Sequence, residues 1–221
     1  MPLLRLLLVL VAVFFAACGD EPEDEAPPPI PLSSLPGVYA GMFPCDGCPG
    51  IPTTVWLKSD GRFFMRQSYP EDVERDALDA FNLGRWVWDA ERQLLNLSGE
   101  GPIRTFTRPD ADSLLMRSGS ELEHRLIRDL AAPSFLSRVP MAGTMQVRDG
   151  DAAFTECLTE ITVPVERGGD YRRFILQYRS KVKRGAPAYV KLEGRFSWTA
   201  DDTPRSVIID RFISIKPGGA C

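Results

Sequence analysis

From residue 37 onward the chain alternates short β-forming runs with tight turns, which leaves antiparallel sheet as its main option. Residues 53–58 (TTVWLK) and 62–69 (RFFMRQSY) flank Ser59-Asp60-Gly61, and Asp-Gly between β-rich runs is a strong hairpin signal. Residues 85–89 and 93–97 flank a second tight loop, and 105–107 and 114–117 flank Pro109-Asp-Ala-Asp112. With a short strand at 38–42, this predicts an all-β antiparallel barrel or sandwich. Only residues 70–80, rich in acids and helix formers, read as a helical insertion. Residues 120–130 carry two signals. Ser120 and Glu123 form a helix capping box, whereas the same residues as a last strand would close the barrel.

The weakest stretch in mid-chain is Ala131-Ala-Pro-Ser-Phe135, and a domain boundary is expected near it. Beyond it, strands are predicted at 143–147, 160–165, 174–178, 189–198 and 207–215, with one irregular loop. Five strands in about 80 residues suit a small closed barrel such as an OB-fold.

The N-terminus sets the compartment. Arg5 is the only charge before Cys18, and an apolar stretch from Leu6 to Phe15 ends in Ala16-Ala17-Cys18. A short positive segment, an apolar core and small residues before the cut mark a secretory signal. The stretch falls short of the roughly 20 residues that a membrane span requires. Ending directly before a cysteine, it resembles the lipobox of bacterial lipoproteins, so residues 1–17 are expected to be removed and Cys18 to be lipidated. Several acyl chains on one residue anchor durably, where one holds only marginally. Residues 20–36 contain six prolines and five acids in seventeen positions, too little apolar surface to offset the entropy of ordering. The expected organisation is therefore a signal peptide (1–17), an acidic proline-rich tether (18–36) reaching about 50 Å, a barrel (37–132) and an OB-like barrel (138–221). Loss of Arg5 takes Lys+Arg from 26 to 25 against 30 acids, a net charge of −5. That argues against nucleic acid, whose binders present a basic footprint.

Five cysteines are an odd count for an exported chain. Lipidation accounts for Cys18, and four remain in a compartment where disulfides persist. Three pairings are possible. Cys45 and Cys48 fall in the first half and Cys157 and Cys221 in the second, a split that favours 45–48 with 157–221. A cysteine as the last residue suggests a stapled terminus, since termini otherwise fray. A bond from Cys157 to Cys221 would be worth about 4 kcal/mol in the chain-entropy model, either as a plain staple or as a redox switch. Cys45-Asp-Gly-Cys48 is a CxxC. No helix follows it, which argues against a thioredoxin-like oxidoreductase, and no further ligands complete a zinc site. A local disulfide or a two-coordinate Cu(I) site remains, thiolate and thioether ligands selecting that ion, with Met42 three residues away. His124, the only histidine, reads as a surface residue in a charged run. Without a nucleophile elbow or an assignable carboxylate pair, nothing in the chain looks like an active site, and no enzyme is expected.

The stretch from Gly41 to Gly61, GMFPCDGCPGIPTTVWLKSDG, resembles the signature of the NlpE lipoproteins, G-x-L-P-C-A-D-C-x-G-I-x-T running on to a D-G hairpin. Ala153-Phe-Thr-Glu-Cys157 and the ending at Cys221 are more loosely similar to the cysteine segments of that family's second domain. Phe43 and Asp46-Gly47 depart from the pattern, as does the acidic insertion. The resemblance implies a lipocalin-like N-terminal barrel, a C-terminal OB-fold and a redox-sensitive staple from Cys157 to Cys221, with Cys45 and Cys48 as the family's CxxC. It also implies that residues 122–130 form a barrel strand. The outer membrane is the implied location, with Gly19 rather than Asp after Cys18. The implied function is non-enzymatic sensing of envelope stress and signalling to a Cpx-type histidine kinase. The competing function is a binding module, buffering copper through Cys45 and Cys48 or carrying an apolar ligand in the barrel.

Overall fold

The computed structural model describes residues 30–43, 45, 50–69, 79–117, 124–132, 138–201 and 203–221. Eight antiparallel strands form a closed up-and-down barrel: β1 (Gly37–Phe43), β2 (Ile51–Leu57), β3 (Arg62–Ser68), β4 (Asp79–Asp89), β5 (Leu94–Gly99), β6 (Arg104–Asp110), β7 (Ser113–Met116) and β8 (His124–Arg128). Closure comes from β8 pairing with β1, Gly41 opposite Leu126. A Cβ on Gly41 would lie 2.2 Å from the Arg125 carbonyl oxygen, so only glycine permits this approach. The barrel is a packed core and not an empty cup. Tyr39, Phe63, Phe106, Leu95, Leu114 and Leu126 point inward and are fully buried, as expected where eight strands leave an interior just wide enough for side chains.

One end of the barrel is plugged from before β1. A 3₁₀ turn at Leu32–Ser34 leads into Leu35, which is fully buried. The Tyr39 hydroxyl donates to the Leu35 carbonyl at 2.9 Å. Arg128 stacks over the Tyr39 ring at 4.7 Å, donates to the Pro36 carbonyl and pairs with Asp112 at 3.0 Å. Burial raises the Tyr39 phenol above its usual range against the pull of Arg128.

The second half is a five-stranded sheet, β9 (Val139–Arg148), β10 (Asp151–Glu156), β11 (Thr162–Pro164), β12 (Ala188–Trp198) and β13 (Pro204–Pro217), with one helix, α1 (Tyr171–Lys181). The strand order β11-β10-β9-β12-β13, a parallel bridge from Val165 to Val207 and the helix between β11 and β12 are the topology of a partly open OB barrel. Its core holds Met145, Phe154, Phe174, Val190, Leu192 and Ile209.

The all-β, two-barrel expectation holds, with local corrections. Residues 174–178 are helix and not strand. Phe174 and Tyr178, four residues apart, bury one face against Phe212, 5.9 Å from Phe174. A short apolar run cannot be assigned to helix or strand by periodicity. β10 is a strand that the expected set lacks. Its Asp and two Ala disguise a clean alternation in which Ala152, Phe154 and Glu156 face inward. The Asp149-Gly150 turn before it, at φ 50° and 93°, is a two-residue hairpin turn of the type this dipeptide favours. His124 is buried in β8 and not on the surface. Residues 124–128 are strand, while Ser120 and Glu123 lie outside the described residues. Of the insertion at 70–80 only Asp79 and Ala80 are described, and they begin β4.

Candidate functional site

Two features single out one region: the disulfide of the second barrel, and the face on which the two barrels meet. β10 ends at Glu156, and the loop after it carries Cys157, whose amide donates to the Ala142 carbonyl at 2.9 Å. The chain after β13 brings Cys221 back, and the two cysteines are bonded, with Cα atoms 5.3 Å apart and a sequence separation of 64. A depression of about 380 Å³, lined by Pro140, Met141, Cys157, Leu158, Tyr189 and Ile213 among others, opens beside the bond.

Glu156 organises this loop. Its side chain is buried, and one carboxylate oxygen accepts from the Leu158 amide at 3.0 Å and from the Thr159 amide and hydroxyl, each at 2.7 Å. Burial pushes its carboxyl above the ordinary value of 4.5, although these donors pull it down. With the folded value raised, the unfolded chain releases its proton first as pH rises. The resulting stabilisation is fully present below about pH 4.5 and is lost as pH climbs through the raised folded value. Glu156→Gln is expected to remove this contribution, seen as a smaller fall in the urea midpoint than in the wild type as pH rises across that range. Glu156→Ala leaves three donors unpaired and is expected to cost about 1–3 kcal/mol at any pH.

The same loop reaches the first barrel. Glu160, at φ 57°, accepts from Arg85 of β4 at 2.7 Å. Beside this exposed pair lies a cross-strand row on the outside of the first barrel: Val38 opposite Trp56, Trp56 opposite Phe64, Phe64 opposite Leu83. Trp56, Phe64 and Leu83 are buried in one apolar cluster with the second barrel. Phe64 meets Trp198 edge-on at 5.3 Å and Phe196 at 6.1 Å, and the Lys58 ammonium sits 4.5 Å from the Trp198 ring centroid. Sequence reasoning missed this contact, although a signal was present. Val55-Trp56-Leu57 and Phe63-Phe64-Met65 are unbroken apolar runs, where a strand with one wet face alternates.

The sequence-selected residues separate. Cys157 and Cys221 come together. Cys45 lies at the other barrel, after β1, where it packs against the barrel core and is disulfide-bonded. Its sulfur is thus not a free thiolate, and Met42 is 44% exposed. Cys18 and Cys48 lie outside the described residues. Among the described residues no three His, Cys, Asp or Glu side chains gather as a metal site.

An eight-stranded antiparallel barrel clamped to an OB barrel with a stapled C-terminus defines a two-barrel, all-β protein. Residues 39–123, which span most of the first barrel, match the model of the NlpE N-terminal domain. The lipoprotein NlpE of Escherichia coli K12 is 28% identical over 169 residues, 75% of this chain and 70% of that protein. Two solved structures are also similar. The Cpx pathway activator NlpE from E. coli is 24% identical, with a TM-score of 0.34 over 84% of this chain and 98% of that one. A Shewanella oneidensis protein described as a lipoprotein is 28% identical, with a TM-score of 0.35 over 44% of this chain and 90% of that one.

Proposed function

We propose that this chain is a non-enzymatic, lipid-anchored envelope protein of NlpE type that reports envelope stress to a Cpx-type sensor histidine kinase. The E. coli relative is named a lipoprotein and a Cpx pathway activator, and Ala16-Ala17-Cys18 supplies a lipidation site. Gly19 after Cys18 favours retention in the outer membrane, facing the periplasm. The observation that carries the reading is the position of the Cys157–Cys221 bond, on a loop that also contacts the first barrel through Glu160 and Arg85.

That position gives redox state a route outward. With the bond intact, the second barrel covers Trp56, Phe64 and Leu83. With it broken, β13 and the 157–160 loop lose their constraint, the cover loosens, and an apolar face of the still-folded first barrel becomes available to a partner. The copper-buffer reading is weaker, since a bonded Cys45 must be reduced before it can ligate Cu(I). An apolar cargo fares no better, for side chains already fill the barrel.

Cys18→Ser tests the anchor on which the reading depends. In the native host the variant is expected in the soluble envelope fraction or misplaced at the inner membrane, without lipid label, and with altered stress-reporter output. Normal labelling and fractionation would refute it.

A further inference from the structure

The second barrel carries a cationic face that the stress-sensing reading does not use. Residues 166–184 hold seven of the chain's 26 Lys and Arg but only two of its 30 acids, Glu166 and Asp170. Arg167 pairs with Asp151 and Arg173 with Asp170. Arg172, Arg179, Lys183 and Arg184 are exposed and have no carboxylate partner among the described residues.

The helix arranges them. α1 buries Phe174 and Tyr178, so positions 172, 176 and 179, four and three apart, share its outer stripe. Leu176, between the two arginines on that stripe, is 58% exposed. At the end of the helix Arg179 and Arg184 line a cavity of about 550 Å³ with Tyr178, Val182 and, across it, Asp149. Room for a phosphate beside two guanidinium groups that have no carboxylate partner among the described residues, on a helix that also exposes a leucine, is the chemistry of an interfacial helix on an anionic bilayer. An acidic protein would satisfy the arginines too, and the polyglutamate arm of the test below separates it from a bilayer.

We infer that the outer face of α1, with Arg172, Leu176 and Arg179, and with Lys183 just beyond the helix end, docks the second barrel onto the headgroups of anionic phospholipids. Lipidation at Cys18, if the reading above holds, raises the local concentration of that membrane, but the face itself does not require it. The interaction is electrostatic in its reach and so weakens with salt.

The test uses the mature chain with Cys18→Ser, so that no acyl chain contributes, and vesicles of phosphatidylglycerol mixed with phosphatidylcholine against phosphatidylcholine alone. Co-sedimentation is expected with the anionic vesicles only, falling as salt is raised. Arg172→Gln with Arg179→Gln and Lys183→Gln is expected to lower the partition coefficient on the order of a hundredfold, at roughly fivefold per cation. Leu176→Asp should lower it too, and circular dichroism should show both variants folded, since the changed side chains are exposed. No binding to anionic vesicles at low salt, equal binding by the triple variant, or capture by soluble polyglutamate with no vesicle binding would each overturn the proposal. Because the lipid anchor is absent, failure here leaves the stress-sensing reading untouched.

Discussion

Cys221→Ala is expected to lower the stability of the second barrel by about 4 kcal/mol, the unfolded-state constraint of a loop this long. The native cost is concentrated at the chain end. Beyond β13 the described backbone hydrogen bonds include only one from Gly218, to the Pro187 carbonyl at 3.2 Å. Against the 5–15 kcal/mol typical of a domain, a loss of this size is large. It should appear as faster amide exchange along β13 and in the 157–160 loop. The first barrel, with its own inward core around Phe63, Phe106 and Leu114, should keep its protection. Chemical unfolding followed by exchange mass spectrometry distinguishes the two barrels, and loss of protection in both would mean that they fold as one unit.

Trp198→Ala is expected to undo the clamp without touching a cysteine. Trp198 meets Phe64 at 5.3 Å, Phe196 at 5.9 Å and the Lys58 ammonium at 4.5 Å. Truncation should cost roughly 3 kcal/mol, at the lower end for tryptophan because the side chain is only partly buried. The face of the first barrel stays intact, so its Trp56 and Phe64 become accessible to a partner. Limited proteolysis should then cut between β8 and β9 sooner than in the wild type, and calorimetry should split into two transitions. An unchanged cleavage rate and a single transition at the original temperature would show that the clamp contributes nothing to holding the barrels together.

The first barrel was legible because its turns announce themselves: Asp60-Gly61 set one hairpin, and residues 109–112 another. The second was less so. Phe174-Ile-Leu176 is apolar whether helix or strand, and only packing against Phe212 decides it. β10 hid because Glu156 faces inward, where a carboxylate is tolerated only through the donors of its own loop. His124 looked solvated because its neighbours in sequence are charged, yet alternation in a strand turns it inward. The cysteines of the staple could be read from their placement, both in the second half of the chain. The clamp could not, since two barrels meeting is a long-range event; the unbroken runs around Trp56 and Phe64 were its one local trace.

The most direct test of the account is envelope-stress reporter output in a host with the Cpx pathway, comparing wild type with Cys221→Ala at equal expression. Output should rise in the variant while the first barrel remains folded. A variant whose second barrel is destabilised but whose reporter stays at the wild-type level would show that the bond is a staple alone, and that redox state is not what this protein reports.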